Sequence, residues 1–316
     1  MTLHPQFRAY LDGLEQVAVA QDPPGALGPA EARAGLASLN TYSLPKVPIA
    51  RVRDASVASM LQQPAVPVRV YVPRPGVECD VVCFVHGGGH MAGDLDVYDF
   101  SARRLAGASG MIVVSVDYRR SPETPFPGGL HDAHHALTHL DEVLVGEATT
   151  GQVHAFADSG GAAKVASIAM RVAGGQWRSP IRRQVLVYPS LDYTLSGASV
   201  QELGEGYFLT AERVRWYFDH YFLEGTDRAA ASPLWGAVSA DMPDTLVIAA
   251  EYDPLRSEAE AYVARMRRAG ASAHLMVAPG MIHAFAFFES LVPEACARLY
   301  EVATEFLATG RAPTHW

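Results

Sequence analysis

Four short strings in this 316-residue chain carry side chains that could work together on an acyl carbon. In FADSGG, Ser159 follows the apolar run VHAFAD and precedes the helix-like AAKVASIAMRV. A serine on a sharp strand-to-helix turn is lifted clear of the sheet edge, and small residues two positions to either side, here Ala157 and Gly161, let strand and helix approach. The second string is HGGG, His86 to Gly89, directly after the apolar VVCFV. Consecutive glycines allow backbone N–H groups to converge on a cavity. Such donors stabilise a tetrahedral oxyanion by about 3 to 4 kcal/mol each. The candidates are the N–H groups of Gly87 and Gly88, joined by that of Gly160 after the serine. EYDPL then places Asp253 after TLVIAA, and GMIHAF places His283 after AHLMVA. A serine hydroxyl is a poor nucleophile until a base takes its proton, and a carboxylate holds an imidazole in the useful tautomer. Each string alone reads as an ordinary turn. Together they predict Ser159 as nucleophile, His283 as general base and Asp253 as the residue orienting that base.

These residues need a scaffold that brings distant strings to one place. From about residue 66, short β-branched runs alternate with longer helical patterns: VPVRVYV, VVCFVH, MIVVSVDY, VHAFAD, QVLVY, TLVIAA and AHLMVA. Between them lie DFSARRLAGAS, HDAHHALTHLDEVL, AAKVASIAMRVAGG and SEAEAYVARMRRAG. The rhythm predicts an α/β fold with a mostly parallel central sheet flanked by helices, and several runs are apolar enough to be buried on both faces. The four strings then fall at carboxyl ends of strands, where open α/β sheets place their active sites. Residues 1–48, read as two helices joined by QDPPGALGP, and the aromatic-rich, helical-looking residues 198–236 stand outside the rhythm. They predict a helical cap on a single domain, 1–316, whose catalytic core is 49–197 and 237–316.

Composition narrows the partners. A net charge of -9 spread along the chain offers no basic face for phosphates, which argues against nucleic acid. No segment is apolar enough to span a bilayer, and the start MTLHPQFRAYLDGLEQV lacks the basic, apolar and small-residue regions of a secretory signal. Three cysteines, Cys79, Cys83 and Cys296, have no metal-like spacing, so a reduced cytoplasmic compartment is expected, with Cys83, in an apolar run, as a buried thiol. His131, His135 and His139 recur at helical spacing, but no acidic partner is arranged as a second ligand set, and no metal is expected.

Longer strings carry a resemblance. HGGGHMAGDLDVYD, VDYRRSPETPFPGGLHDA, FADSGG, YPSLD, EGYFLT, SPL, AEYDPLRSEAEAY and PGMIHAF, between about residues 68 and 288, resemble the hormone-sensitive-lipase-like, bacterial carboxylesterase family of α/β hydrolases. The resemblance implies a sheet of about eight strands, the triad and oxyanion positions above, no cofactor, and a small-molecule ester with a short or medium acyl group as substrate. A homodimer is left open. The same triad would serve an acyltransferase, amidase or lactone-processing enzyme, and the fold could carry a non-catalytic ligand-binding protein. Departures cluster at the elbow. Relatives commonly read GDSAGG followed by Asn, whereas ADSGGA followed by Ala163 and Lys164 stands here, with Gly160 at the usual Ala. His90 replaces the bulky apolar residue that often follows HGGG. His90, Tyr207, Phe208 and Ile282 are the candidate pocket residues.

Overall fold

The structure, a computed structural model, describes residues 2–20, 28–60 and 63–316, and of residues 15–20 the backbone alone. Eight strands form one sheet: β1 (Arg51–Val57), β2 (Val66–Val72), β3 (Cys79–Val85), β4 (Ile112–Val116), β5 (Thr149–Asp158), β6 (Ile181–Val187), β7 (Asp244–Tyr252) and β8 (Ala273–Ile282). Their order is β1-β2-β4-β3-β5-β6-β7-β8. β2 runs antiparallel to β1 and β4, and the other neighbouring pairs are parallel. The expected α/β-hydrolase fold, with its mostly parallel sheet, is the fold observed.

Side-chain alternation explains why the central strands read as unbroken apolar runs. In β3, Val82 and Phe84 enter one core cluster while Val81, Cys83 and Val85 enter the other, so every second residue serves a different face. The first cluster is closed by α3 (Asp99–Ser109) and α11 (Pro293–Thr309), through Leu105, Leu299 and Phe306. Helices α4 (Gly128–Thr138), α6 (Ser159–Ala173) and α10 (Arg256–Arg268) close the second, through Leu137, Ile168 and Met266. β1 has a different character. Only Val57 of RVRDASV is buried, and Arg51 and Arg53 both pair with Glu147, as suits a charged edge strand.

The helical pattern HDAHHALTHLDEVL divides at His139 into α4 and a short α5 (Leu140–Val143). His135 Nε2 lies 2.8 Å from the Ala58 carbonyl, and the His131 ring lies 5.6 Å from that of Trp177. Among the described residues no three His, Cys, Asp or Glu side chains are grouped as metal ligands. No helix among them is long and apolar enough to cross a membrane.

Above the carboxyl ends of the parallel strands lie α1 (Pro5–Ala20) and α2 (Pro29–Ser38), together with α7 (Ala198–Glu202), α8 (Ala211–Tyr221) and α9 (Arg228–Ala231). Residues 21–27 of the expected QDPPGALGP connection lie outside the described residues. The 198–236 segment is less helical than its pattern suggests, because loops at 203–210 and 222–227 interrupt it. α8 starts at Thr210, whose hydroxyl accepts the Arg213 N–H at 3.0 Å. Its buried stripe Val214, Phe218 and Tyr221 packs with Tyr193, Leu255 and Ala163. α2 is tied down by Arg33, whose guanidinium donates to the Met91 and Ser121 carbonyls at 3.0 and 3.1 Å and pairs with Glu123 at 2.5 Å.

Candidate active site

β5 passes into α6 with no intervening loop, and Ser159 is the helix's first residue with φ +47°. That left-handed backbone costs a non-glycine residue about 1 to 2 kcal/mol and turns the side chain out of the sheet. Gly161 makes the turn possible. A Cβ there would stand 2.1 Å from the Val85 carbonyl oxygen and 2.3 Å from that of His86, so α6 could not lie this close to β3. Ala157, on the other side of the serine, points into the core beside Val85 and Ala155, where its methyl is accommodated. The two small positions of the elbow are therefore unequal: one needs glycine, and the other needs only a small residue.

Ser159 Oγ lies 2.9 Å from His283 Nε2, and His283 Nδ1 lies 2.8 Å from Asp253 Oδ2. The second carboxylate oxygen accepts the Leu255 N–H at 2.9 Å, which fixes the Asp253 side chain after β7. Asp253 is 1% and His283 5% exposed. With Nδ1 facing a carboxylate, the imidazole carries its proton there and offers Nε2 as an acceptor to the serine hydroxyl. Residues 94 and 124 positions beyond the serine are thus joined to it by two hydrogen bonds, because β5, β7 and β8 all end at the same edge.

The glycine loop differs in part from expectation. Gly88 and Gly160 line the cavity in front of Ser159, and so does Gly89. Gly87 does not, because its N–H donates to Asp158 Oδ1 at 2.7 Å and is turned into the scaffold. The glycines that line the cavity are therefore Gly88, Gly89 and Gly160, in place of the expected Gly87, Gly88 and Gly160. Gly88 has φ +96°, and a Cβ on it would stand 2.2 Å from the Ala92 carbonyl oxygen. Gly160 sits in the first turn of α6, where no preceding carbonyl is available to its N–H.

Asp158 also accepts the Tyr98 hydroxyl at 3.1 Å. Burial pushes its carboxyl up to about 7, against the opposing pull of the Gly87 and Tyr98 hydrogen bonds. His86 supports the loop as a neutral ring. It lies between Tyr98 and Tyr118, with centroids 5.0 and 4.4 Å away, and burial drives it down to about 3.

The cavity in front of Ser159 and His283 has a volume of about 370 Å³. Its far wall comes from the helices above the sheet: Tyr10, Leu36 and Leu39 from the N-terminal region, and Phe208, Tyr217 and Phe218 from the later segment. Charge is confined to Glu31 and Arg213 on this wall and Asp158 on the opposite one, with His90 and His283 beside them. Of the expected pocket residues, His90 and Phe208 line the cavity. Tyr207 packs instead on Tyr252, at 5.1 Å between rings, and Ile282 is fully buried in β8 opposite Tyr252. The sequence reading did not identify Tyr98, Asp158, Arg213 or Tyr217 as cavity residues. The aromatic density of 207–222 was the signal for Tyr217, but nothing in the local pattern separates its inward from its outward side chains.

The family model described as alpha/beta hydrolase fold matches residues 82–287, which contain Ser159, Asp253, His283 and the glycine loop. The chain belongs to the α/β hydrolases, in their hormone-sensitive-lipase-like branch. It is 33% identical to an ethyl acetate hydrolase of Pseudomonas putida over 235 residues, 72% of this chain and 74% of that one. An esterase of Pyrobaculum calidifontis has a solved structure that superposes with a TM-score of 0.85 at 30% identity, covering 98% of this chain and 100% of the other. Similarity extends to a gibberellin receptor, GID1A of Arabidopsis thaliana, at 29% identity over 72% of this chain and 68% of the receptor.

Proposed function

We propose that the protein is a serine hydrolase that cleaves small carboxylic esters through an acyl-enzyme, with Ser159 as nucleophile, His283 as general base and Asp253 orienting the imidazole. The observation that carries this reading is the continuous Ser159–His283–Asp253 hydrogen-bond chain, with contacts of 2.9 and 2.8 Å, opening on a largely apolar cavity. The ester carbonyl enters between the glycine loop and the elbow. Ser159 Oγ bonds to its carbon while its proton passes to His283 Nε2, and the carbonyl oxygen becomes an oxyanion facing the N–H groups of Gly88, Gly89 and Gly160. The tetrahedral intermediate collapses, the C–O bond to the alcohol breaks, and the imidazolium returns the proton to the leaving oxygen. Water repeats the sequence on the acyl-enzyme and releases the acid.

The receptor among the relatives raises a binding role, but ligand binding alone gives no reason for a buried imidazole held between a carboxylate and a serine hydroxyl. The similarity to ester hydrolases supports hydrolysis over amide cleavage or acyl transfer. Residues 1–48 and 198–236 serve as the cap, since both supply the wall opposite Ser159. Three buried free thiols, Cys79, Cys83 and Cys296, suit the reducing cytoplasm. Substituting Ser159→Ala tests the reading: turnover of p-nitrophenyl butyrate should fall by at least about 10⁴-fold with the circular dichroism spectrum unchanged, and retained turnover would remove the mechanism.

A further inference from the structure

Two of the departures from the family pattern at the elbow touch each other. Lys164 Nζ lies 2.8 Å from His90 Nδ1, although the residues are 74 positions apart. Both are buried, at 1% exposure each. Among the described residues Lys164 forms no ion pair with a carboxylate; its ammonium sits instead 4.1 Å above the Tyr118 ring and 5.3 Å from that of Tyr221. The His90 ring stacks on Tyr221 at 3.8 Å with an interplanar angle of 3°. Burial lowers Lys164 to about 7 and holds His90 well below the ordinary imidazole range.

The third departure belongs to the same arrangement. Gly160 and Lys164 are four residues apart on α6 and so share a helix face. The His90 imidazole lies along that face, with Nδ1 at Lys164 and Cε1 near Gly160. A methyl group on Gly160 would stand 3.4 Å from Cε1, 3.0 Å from the His90 backbone nitrogen and 3.4 Å from that of Gly89. The glycine loop therefore rests directly on the first turn of the nucleophile helix, and His90 takes up a left-handed backbone, φ +66°, as it does so.

We propose that Lys164 is a positioning residue: by donating to His90 Nδ1 it clamps the 88–90 loop onto α6 and sets the distance between the Gly88 and Gly89 N–H groups and the Ser159 reaction centre. With Lys164 Nζ as the donor, Nδ1 accepts and the neutral ring carries its proton on Nε2, which has no partner among the described residues. His90 and Gly160, which replace an apolar residue and an alanine of the family pattern, are thus coupled through Lys164. Its effect falls on transition-state stabilisation, because these N–H groups matter most when the oxyanion has formed.

This inference rests on the serine-hydrolase reading, and the test separates the two. Steady-state kinetics with p-nitrophenyl butyrate are compared for wild type, Lys164→Met, Lys164→Gln and the double variant His90→Phe with Lys164→Met, alongside fluorophosphonate labelling of Ser159. Lys164→Met should lower kcat by about 10- to 100-fold with KM moved less than about threefold, the range expected for misplacing a catalytic group by about 1 Å. Lys164→Gln, which keeps an N–H donor, should lose less than about threefold, and the double variant, which removes both polar partners, should recover to within about fivefold of wild type. An unchanged kcat in Lys164→Met, or equal losses in Lys164→Met and Lys164→Gln, overturns the proposal. If Lys164→Met does not fold, a kcat below a tenth of wild type in Lys164→Gln overturns it equally. A wild-type protein that is not labelled at Ser159 would instead sink the hydrolase reading itself.

Discussion

Ser159 stands between two buried polar pairs of opposite character. His283 and Asp253 follow β8 and β7; His283 lines the cavity and bonds the serine oxygen, and Asp253 reaches the serine through His283. Lys164 and His90 come from α6 and the glycine loop, and although His90 lines the cavity, the pair is joined to the serine through the backbone it holds. The first pair joins a carboxylate to an imidazole, so the positive charge formed during attack meets a negative partner. The second joins the Lys164 amine to a neutral imidazole between aromatic rings; among the described residues it forms no ion pair, and burial weakens its hold on the proton against the pull of Asp132. On the proposed mechanism the first pair serves proton transfer and the second the placement of hydrogen-bond donors.

Perturbing each part should give effects of different size. Asp253→Asn leaves the shape of the first pair nearly intact but favours the wrong imidazole tautomer, so kcat should fall by about 10³- to 10⁴-fold, measured on a p-nitrophenyl ester at pH 7 to 8. A loss below tenfold would mean that His283 is not oriented through this carboxylate. Gly161→Ala tests the elbow they share. With backbone oxygens 2.1 and 2.3 Å from the new methyl, α6 must move away from β3. Urea denaturation should show a loss of about 1 to 3 kcal/mol, whereas Ala157→Gly should change stability much less.

A pH-dependent effect concerns Asp158, which binds Gly87 and Tyr98. Its carboxyl is raised from 3.8 to about 7 in the folded protein. Between those values the folded state keeps a proton that the unfolded chain has released, so its contribution to stability is fully present below about 4 and is lost as the pH rises through about 7. Asp158→Asn removes this dependence while keeping groups able to meet both partners. The stability of wild type relative to Asp158→Asn, from urea melts at intervals across that range, should therefore decline with rising pH. A difference that is flat or rises would place the Asp158 titration outside this window.

The contrast between the two pairs also explains what could be read in the sequence. Ser159, Asp253 and His283 each follow an apolar strand run, so strand direction alone predicts their convergence. The fold was legible for the same reason, since strands buried on both faces leave unbroken apolar strings such as VVCFVH. β1 was missed because an edge strand with one neighbour and solvent beside it keeps its charges, and RVRDASV reads as polar. α11 was not singled out either, although Leu299, Val302, Phe306 and Leu307 lie on its buried side. Gly87 was misplaced by one position along a run of identical residues, where composition cannot tell which N–H turns inward; the Asp158 carboxylate decides it. Tyr207 and Phe208 are adjacent, yet only Phe208 reaches the cavity, a distinction set by the irregular 203–210 loop. The Lys164–His90 contact was invisible because each residue alone reads as an isolated substitution, and only the close packing of α6 on the glycine loop brings them together.

The central claim is that an acyl group passes through Ser159, and the most direct measurement is mass spectrometry of the protein quenched in acid within milliseconds to seconds of mixing with excess p-nitrophenyl acetate. The account predicts a burst of p-nitrophenol of about one equivalent or less and a single acetyl group on the peptide containing Ser159, absent from Ser159→Ala. Turnover with no acyl adduct, or with the adduct on another residue, would contradict it.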